Sequence, residues 1–170
     1  MMYGITGTPG TGKSVLGNIL AKRGQVVVHL TDTVGPYVTG EDERRDARII
    51  DVGRWAAEFV PVNGFVEGHF AHLLPCDRIV VLRCRPDVLS DRLAMRKYRE
   101  EKIRENAEAE ALDVCLVETV EAFEPDRIFE LDTTEKSPGE CAGLIEGFAA
   151  GRIPAGFGRL DFSAYLEGTP

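Results

Sequence analysis

Apolar residues recur along this chain in short, nearly continuous runs, separated by longer stretches with helical spacing. Residues 2–6 (M-Y-G-I-T) form a largely apolar run that predicts a buried strand. Residues 15–22 read as a helix with Val15, Leu16, Ile19 and Leu20 on one side. Residues 25–30 (Q-V-V-V-H-L) predict a second strand, rich in β-branched side chains. Residues 31–40 are loop-like, with Gly35-Pro36 as a turn signal. Over residues 42–59, Ala47, Ile50, Val52, Trp55, Ala56 and Phe59 fit one wide helical face, which Pro61 punctuates. Residues 64–67 predict a third strand ending in a carboxylate, and residues 78–83 (R-I-V-V-L-R) a fourth. Pro86 opens a helix to about residue 98, and a second helix runs from about 100 to 123. A last strand at 127–131 and a last helix at 139–149 follow.

This alternation predicts an α/β fold with a central parallel five-stranded sheet and helices on both faces. Ligands of such sheets sit at the carboxyl ends of the strands, so Gly7, Thr31, Glu67, Arg85 and Asp132 are expected along one edge. Residues 1–150 are read as one domain and residues 151–170 as an extended tail, with Phe157, Leu160, Phe162 and Tyr165 available for packing.

Composition narrows the picture. The chain has 170 residues, enough for one sizeable core, with 44% hydrophobic and 28% charged positions. Its net charge of −8 argues against broad non-specific binding to nucleic acid. No long apolar run, signal peptide or lipidation motif is apparent, so no membrane association and a cytoplasmic location are expected. Cys76, Cys84, Cys115 and Cys141 lack paired metal spacing and read as reduced thiols.

The chemistry begins at Gly7. Residues 7–14 complete the pattern G-x-x-x-x-G-K-[ST] between a strand and a helix, the context a phosphate-binding P-loop needs. Its backbone N–H groups and the helix N-terminus suit a triphosphate, so Gly10, Thr11, Gly12, Lys13, Ser14 and Val15 are candidate ATP-binding residues. Lys13 is placed to reach the β- and γ-phosphates, and the Ser14 hydroxyl to ligate Mg²⁺. Glu67, closing an apolar strand, is the candidate second Mg²⁺ ligand, against the alternative of a solvated strand end. His69 is a candidate for orienting phosphate or water, against a structural histidine; His72 has no evident role. Arg92 and Arg96, four residues apart on a helix, could stabilise charge on the transferring group or simply decorate a salt-bridged surface. The next helix, with Arg99, Lys102, Arg104 and a run of glutamates, reads mostly as a solvated face. Arg44, Arg45 and Arg48 form a second basic cluster. By position, Arg48 and Arg54 are candidates for binding an acceptor phosphate, against a surface helix rich in acidic partners.

Taken together, several segments resemble the atypical adenylate kinases of archaea and eukaryotic nuclei, the isoenzyme-6 type. They are G-I-T-G-T-P-G-T-G-K-S at 4–14, D-x-R-I-I-D at 46–51, V-E-G-H at 66–69, L-L-P at 73–75, the stretch 79–98 containing R-L-A-M-R-K-Y, and K-I-R-E-N at 102–106. The resemblance implies a P-loop kinase with an acceptor-binding region (about 31–60) and a short lid (about 92–106). It implies Mg²⁺-dependent transfer of the ATP γ-phosphoryl to AMP or a related monophosphate, a slower ATPase activity, and ribosome maturation through a small-subunit ribosomal protein. By matching position it assigns Lys13 and Ser14 to the P-loop, Glu67 to the metal side, His69 to ATP hydrolysis, Arg48 to the acceptor, and Arg92 and Arg96 to the lid. An assembly ATPase with incidental kinase activity, and a P-loop kinase of another small metabolite, are the alternative functions.

Overall fold

The computed structural model describes residues 1–42 and 47–168. The chain enters through strand β1 (Met2–Gly7), helix α1 (Lys13–Lys22) and the short strand β2 (Val27–His29). Strands β3 (Val38–Asp42) and β4 (Ala47–Ile50) come next, then helix α2 (Val52–Glu58) and strand β5 (Gly64–Glu67). Strand β6 (Arg78–Arg83) leads into helices α3 (Pro86–Met95), α4 (Glu100–Ala111) and α5 (Val114–Ala122). Strand β7 (Ile128–Asp132), helix α6 (Pro138–Ala149) and the single turn α7 (Ala164–Glu167) complete it.

Five strands form the expected parallel sheet, in the order β2-β5-β1-β6-β7. Both faces are buried, which explains the nearly unbroken apolar run of β6. Val80 and Leu82 point into a core with Ile5, Leu16, Leu20, Ile145 and Phe148, under α1 and α6. Ile79 and Val81 point the other way, toward Leu116 of α5 and Ile128. Among the described residues no helix is long and apolar enough to cross a membrane.

The helix expected over 42–59 is corrected. Residues 38–42 and 47–50 pair as an antiparallel hairpin, with Glu41 opposite Arg48 and Asp42 opposite Ala47. Among the described residues of that stretch only 52–58 are helical, because the Asp51 carboxylate accepts from the backbone N–H of Arg54 at 3.1 Å and caps the helix there. The apolar spacing from Val52 onward belongs to α2. Ala47 and Ile50, three apart, matched the helical period, but in strand β4 they lie on opposite faces. Trp55 anchors α2, donating from Nε1 to Thr33 Oγ1 at 2.9 Å. Arg44, Arg45 and Asp46 lie outside the described residues.

The single helix expected over 100–123 is also corrected, into α4 and α5. Asp113 between them adopts the left-handed conformation at φ 57°, which short polar side chains tolerate better than most. Nor is the glutamate run of α4 wholly solvated. Glu110 is 1% exposed and accepts from Arg83 Nε at 2.8 Å, the Cys84 backbone N–H at 3.0 Å and the Thr8 hydroxyl. Arg83, equally buried, also pairs with Glu130 at 2.7 Å and with Asp113. The tail packs on this centre: Gly156 exchanges backbone hydrogen bonds with the outer edge of β7, and the Phe162 ring stacks 5.3 Å from the Arg83 guanidinium. All four cysteines are free and buried.

Candidate active site

Three glycines of the loop, Gly7, Gly10 and Gly12, have φ between 95° and 145°. Gly10 shows why. At φ 95° a side chain is strained, and a Cβ there would also sit 2.8 Å from Leu89 and 3.0 Å from Leu93 of α3. The loop therefore lies against α3 and opens at the carboxyl edge of the sheet. Lys13 Nζ donates to the carbonyls of Gly7 at 2.7 Å and Thr8 at 3.0 Å. Burial holds its ammonium down, to about 8. The charge of Arg96 acts in the same direction, while Cys115, Glu67 and Glu110 oppose it. Ser14 stands exposed in the first turn of α1.

Glu67 closes β5 and is 3% exposed. Its Oε1 lies 2.5 Å from His29 Nδ1, at the end of the neighbouring strand β2. Helix α1 passes so close that a Cβ on Gly17 would fall 3.1 Å from Glu67 Cγ and 3.2 Å from His29 Cε1. The carboxylate is thus fixed by a partner that sequence reading did not single out. Its other oxygen has no protein partner among the described residues. A hydroxyl at Ser14 and a carboxylate oxygen at Glu67 are the hard donors that suit Mg²⁺.

His69 follows two residues later. Its Nδ1 lies 3.3 Å from the Gly7 carbonyl, so this network assigns the proton to Nδ1 and leaves Nε2 as an acceptor. Burial, and then the charge of Lys13, hold the imidazole below its ordinary value and keep it neutral at pH 7.

Arg92 and Arg96 meet at a pocket of about 320 Å³, together with Gly10, Gly12, Val15, Met95, Thr133, Lys136 and Pro138. That volume suits a nucleoside. Arg92 is tied down, donating to the Thr133 carbonyl at 2.7 Å and hydroxyl at 3.2 Å. Thr133 in turn donates to the Thr11 carbonyl at 3.0 Å, joining the loop after β7 to the P-loop. Arg96 lies just beyond the end of α3, and its guanidinium makes no ion pair among the described residues. The loop carrying Thr133, Lys136 and Pro138 was missed in the sequence. Its place after the last strand, beside Asp132, was the available signal.

Arg48 and Arg54 fall elsewhere. Arg48 is exposed on β4, while Arg54 pairs with Glu58 at 2.8 Å and stacks on Tyr37 at 5.6 Å. Neither lines the 320 Å³ pocket. A wider cleft of about 720 Å³ lies between Asp42 at the end of β3 and Arg99, Lys102, Arg104 and Glu108.

Residues 4–113 match the sequence family described as "AAA domain". A protein of Methanothermobacter thermautotrophicus described as "Putative adenylate kinase" is 42% identical, covering 98% of this chain and 100% of its own length. A protein of Natronomonas pharaonis with the same description is 39% identical over the same shares. Among solved structures, shikimate kinase from Bacteroides thetaiotaomicron superposes with a TM-score of 0.54 at 18% identity, over 88% of this chain and 98% of its own.

Proposed function

We propose a function from one premise: this chain belongs to the archaeal-type adenylate kinase family and has the fold of a P-loop kinase. It transfers the γ-phosphoryl group of ATP to AMP or a related nucleoside monophosphate. The observation that carries this reading is the junction at the sheet edge. There the P-loop lines the nucleoside-sized pocket with Arg92 and Arg96, and the buried Glu67 ends the strand next to β1, which leads into the P-loop.

The donor base and ribose lie in the pocket between Val15, Met95 and Pro138, with the triphosphate over Gly10–Ser14. Ser14 and Glu67 would hold Mg²⁺, which would offset the negative charge of the triphosphate. Lys13 exchanges its two loop carbonyls for phosphate oxygens. Arg96, without an ion-pair partner among the described residues, is available to charge that develops in the transition state, while Arg92 holds the loop after β7 in place beside it. The acceptor enters the cleft beside α4, where Arg99, Lys102 and Arg104 supply cations and the hairpin contributes Asp42; Arg48, exposed on the same hairpin opposite Glu41, is the proposed acceptor-side arginine. Residues 31–60 make up this acceptor region and residues 92–106 the short lid.

Hydrolysis is a side activity of the same site. The acceptor phosphate is ionised already, whereas water needs a base. His69, neutral and with Nε2 as acceptor, is that base. A small-subunit ribosomal protein is the proposed macromolecular partner. Labelled ATP, incubated with a panel of monophosphates with and without that partner, tests the reading. Labelled ADP formed only when AMP or a close relative is present supports it. Release of inorganic phosphate alone, whatever acceptor is offered, overturns it in favour of an ATPase.

A further inference from the structure

His72 is far in the sequence from Cys115 and Glu118, and the three give no recognisable metal spacing. The fold brings them together. His72 sits in the turn after β5, and Cys115 and Glu118 lie one turn apart on α5, which packs on that turn. One ligand atom from each residue lies within 4.8 Å of the others, the one such cluster among the described residues. We infer that these three side chains bind a single borderline-soft divalent cation of the zinc class, at a site separate from the nucleotide's.

The hydrogen-bond network prepares the imidazole for this. The Thr6 hydroxyl has one proton, and it donates that proton to the His69 carbonyl at 3.0 Å. Toward His72 Nδ1, 3.3 Å away, the same oxygen can therefore act only as an acceptor. The proton of His72 sits on Nδ1, and Nε2 presents its lone pair. That lone pair points at Glu118 Oε2, 3.3 Å distant. Two acceptors at this separation need a positive particle between them, either a second proton or a metal ion. The spacing suits the ion, because bonds of about 2.0 Å to nitrogen or oxygen in a tetrahedral site put neighbouring ligand atoms about 3.3 Å apart.

Cys115 supplies the third ligand and the selectivity. Its sulfur is buried beside Thr6 Oγ1 at 3.7 Å. A set of one nitrogen, one sulfur and one oxygen favours zinc over Mg²⁺ or Ca²⁺, which take oxygen. Thr6 acts as the supporting group that fixes the ring and its tautomer, as outer partners do at histidine metal sites. Glu118 is half exposed, and a cavity of about 420 Å³ borders His72, so an ion has a way in. A water completes the tetrahedron, because His69 uses its nearer nitrogen, Nδ1, on the Gly7 carbonyl. Binding displaces the thiol proton and joins α5 to the end of β5, directly beneath the P-loop.

The test uses metal-free, full-length protein without nucleotide, titrated with Co²⁺ as a spectroscopic stand-in for zinc. The expected result is one equivalent of Co²⁺ bound, with thiolate-to-cobalt charge-transfer absorption that Zn²⁺ abolishes by displacement. Zn²⁺ should also raise the thermal midpoint. Glu118→Gln changes a half-exposed side chain and keeps the fold. It should weaken Co²⁺ by at least about tenfold and remove the Zn²⁺ effect on the midpoint. Cys115→Ala should lose the absorption band, while Cys141→Ala, whose thiol lies in the core under α6, should retain it. Absence of the band at one equivalent overturns the inference. So does a band that survives Cys115→Ala, or affinity unchanged in Glu118→Gln. In those cases the cluster is a protonated His72–Glu118 pair beside a core thiol.

Discussion

The ammonium nitrogen of Lys13 lies 2.7 Å from the carbonyl oxygen of Gly7, folded back onto the loop that it serves. Burial there holds its proton affinity down, to about 8, far below that of a solvated lysine. Two consequences are measurable.

A polyanion beside Lys13 favours the charged ammonium, so nucleotide binding at pH 8 should take up about half a proton, given a free-state value near 8. Calorimetry in buffers of different ionisation enthalpy measures the uptake. It should fade below about pH 7, where Lys13 is already charged in the free protein, and vanish in Lys13→Ala. The same shift sets the sign for stability. Between pH 8 and about 10.4 the unfolded chain binds more protons than the native one, so Lys13 makes stability rise with pH in that window. Uptake that persists in Lys13→Ala would assign the proton to another group.

Lys13→Ala should also lower phosphoryl transfer by about 10²–10³, the usual effect of one electrostatic contact on a transition state, ~3–4 kcal/mol. Circular dichroism should be unchanged, since the side chain rests on carbonyls that water can serve. Turnover close to that of the native protein would remove the P-loop from the mechanism.

Arg92 and Arg96 should separate in their effects. Arg92 braces the Thr133 carbonyl, so Arg92→Ala should lower both the thermal midpoint and kcat. Arg96 carries no such bond, and Arg96→Ala should lower kcat roughly tenfold to a hundredfold, the loss of one charge-assisted contact, with the midpoint intact. If Arg96→Ala costs stability and spares turnover, its guanidinium belongs to the surface.

Arg48→Ala should raise the KM for AMP more than that for ATP, because the hairpin rim borders the acceptor cleft. Equal changes in both constants would make the hairpin a general structural element.

His69→Ala should depress ATP hydrolysis without acceptor more than AMP phosphorylation, since only water requires a base. Glu67→Ala should depress both, as both need the metal in place. Paired assays of the same preparations decide. Equal loss of the two activities in His69→Ala would place the histidine in the common phosphate site.

What the sequence determined by itself was everything carried by local pattern. The order of β1, β2, β5, β6 and β7, and the helices α1, α3 and α6 that alternate with them or follow, come from unbroken apolar runs, helical spacing, Pro86 and glycines at fixed offsets. The P-loop was legible for the same reason, since eight consecutive residues supply all its parts. The positions of Glu67, His69, Arg92 and Arg96 came from the motifs around them.

What only the tertiary structure decided were the pairings between distant segments. Ala47 and Ile50 suited a helix by their spacing, and pairing with residues 38–42 made the segment a strand instead. Glu110 looked like one more exposed glutamate until Arg83, 27 residues away, and Thr8, 102 residues away, gave it a reason to be buried. His29 beside Glu67, and His72 beside Cys115 and Glu118, are likewise invisible to spacing. A buried carboxylate or imidazole is tolerated only where partners satisfy it, and in a parallel sheet those partners come from strands and helices that are neighbours in space.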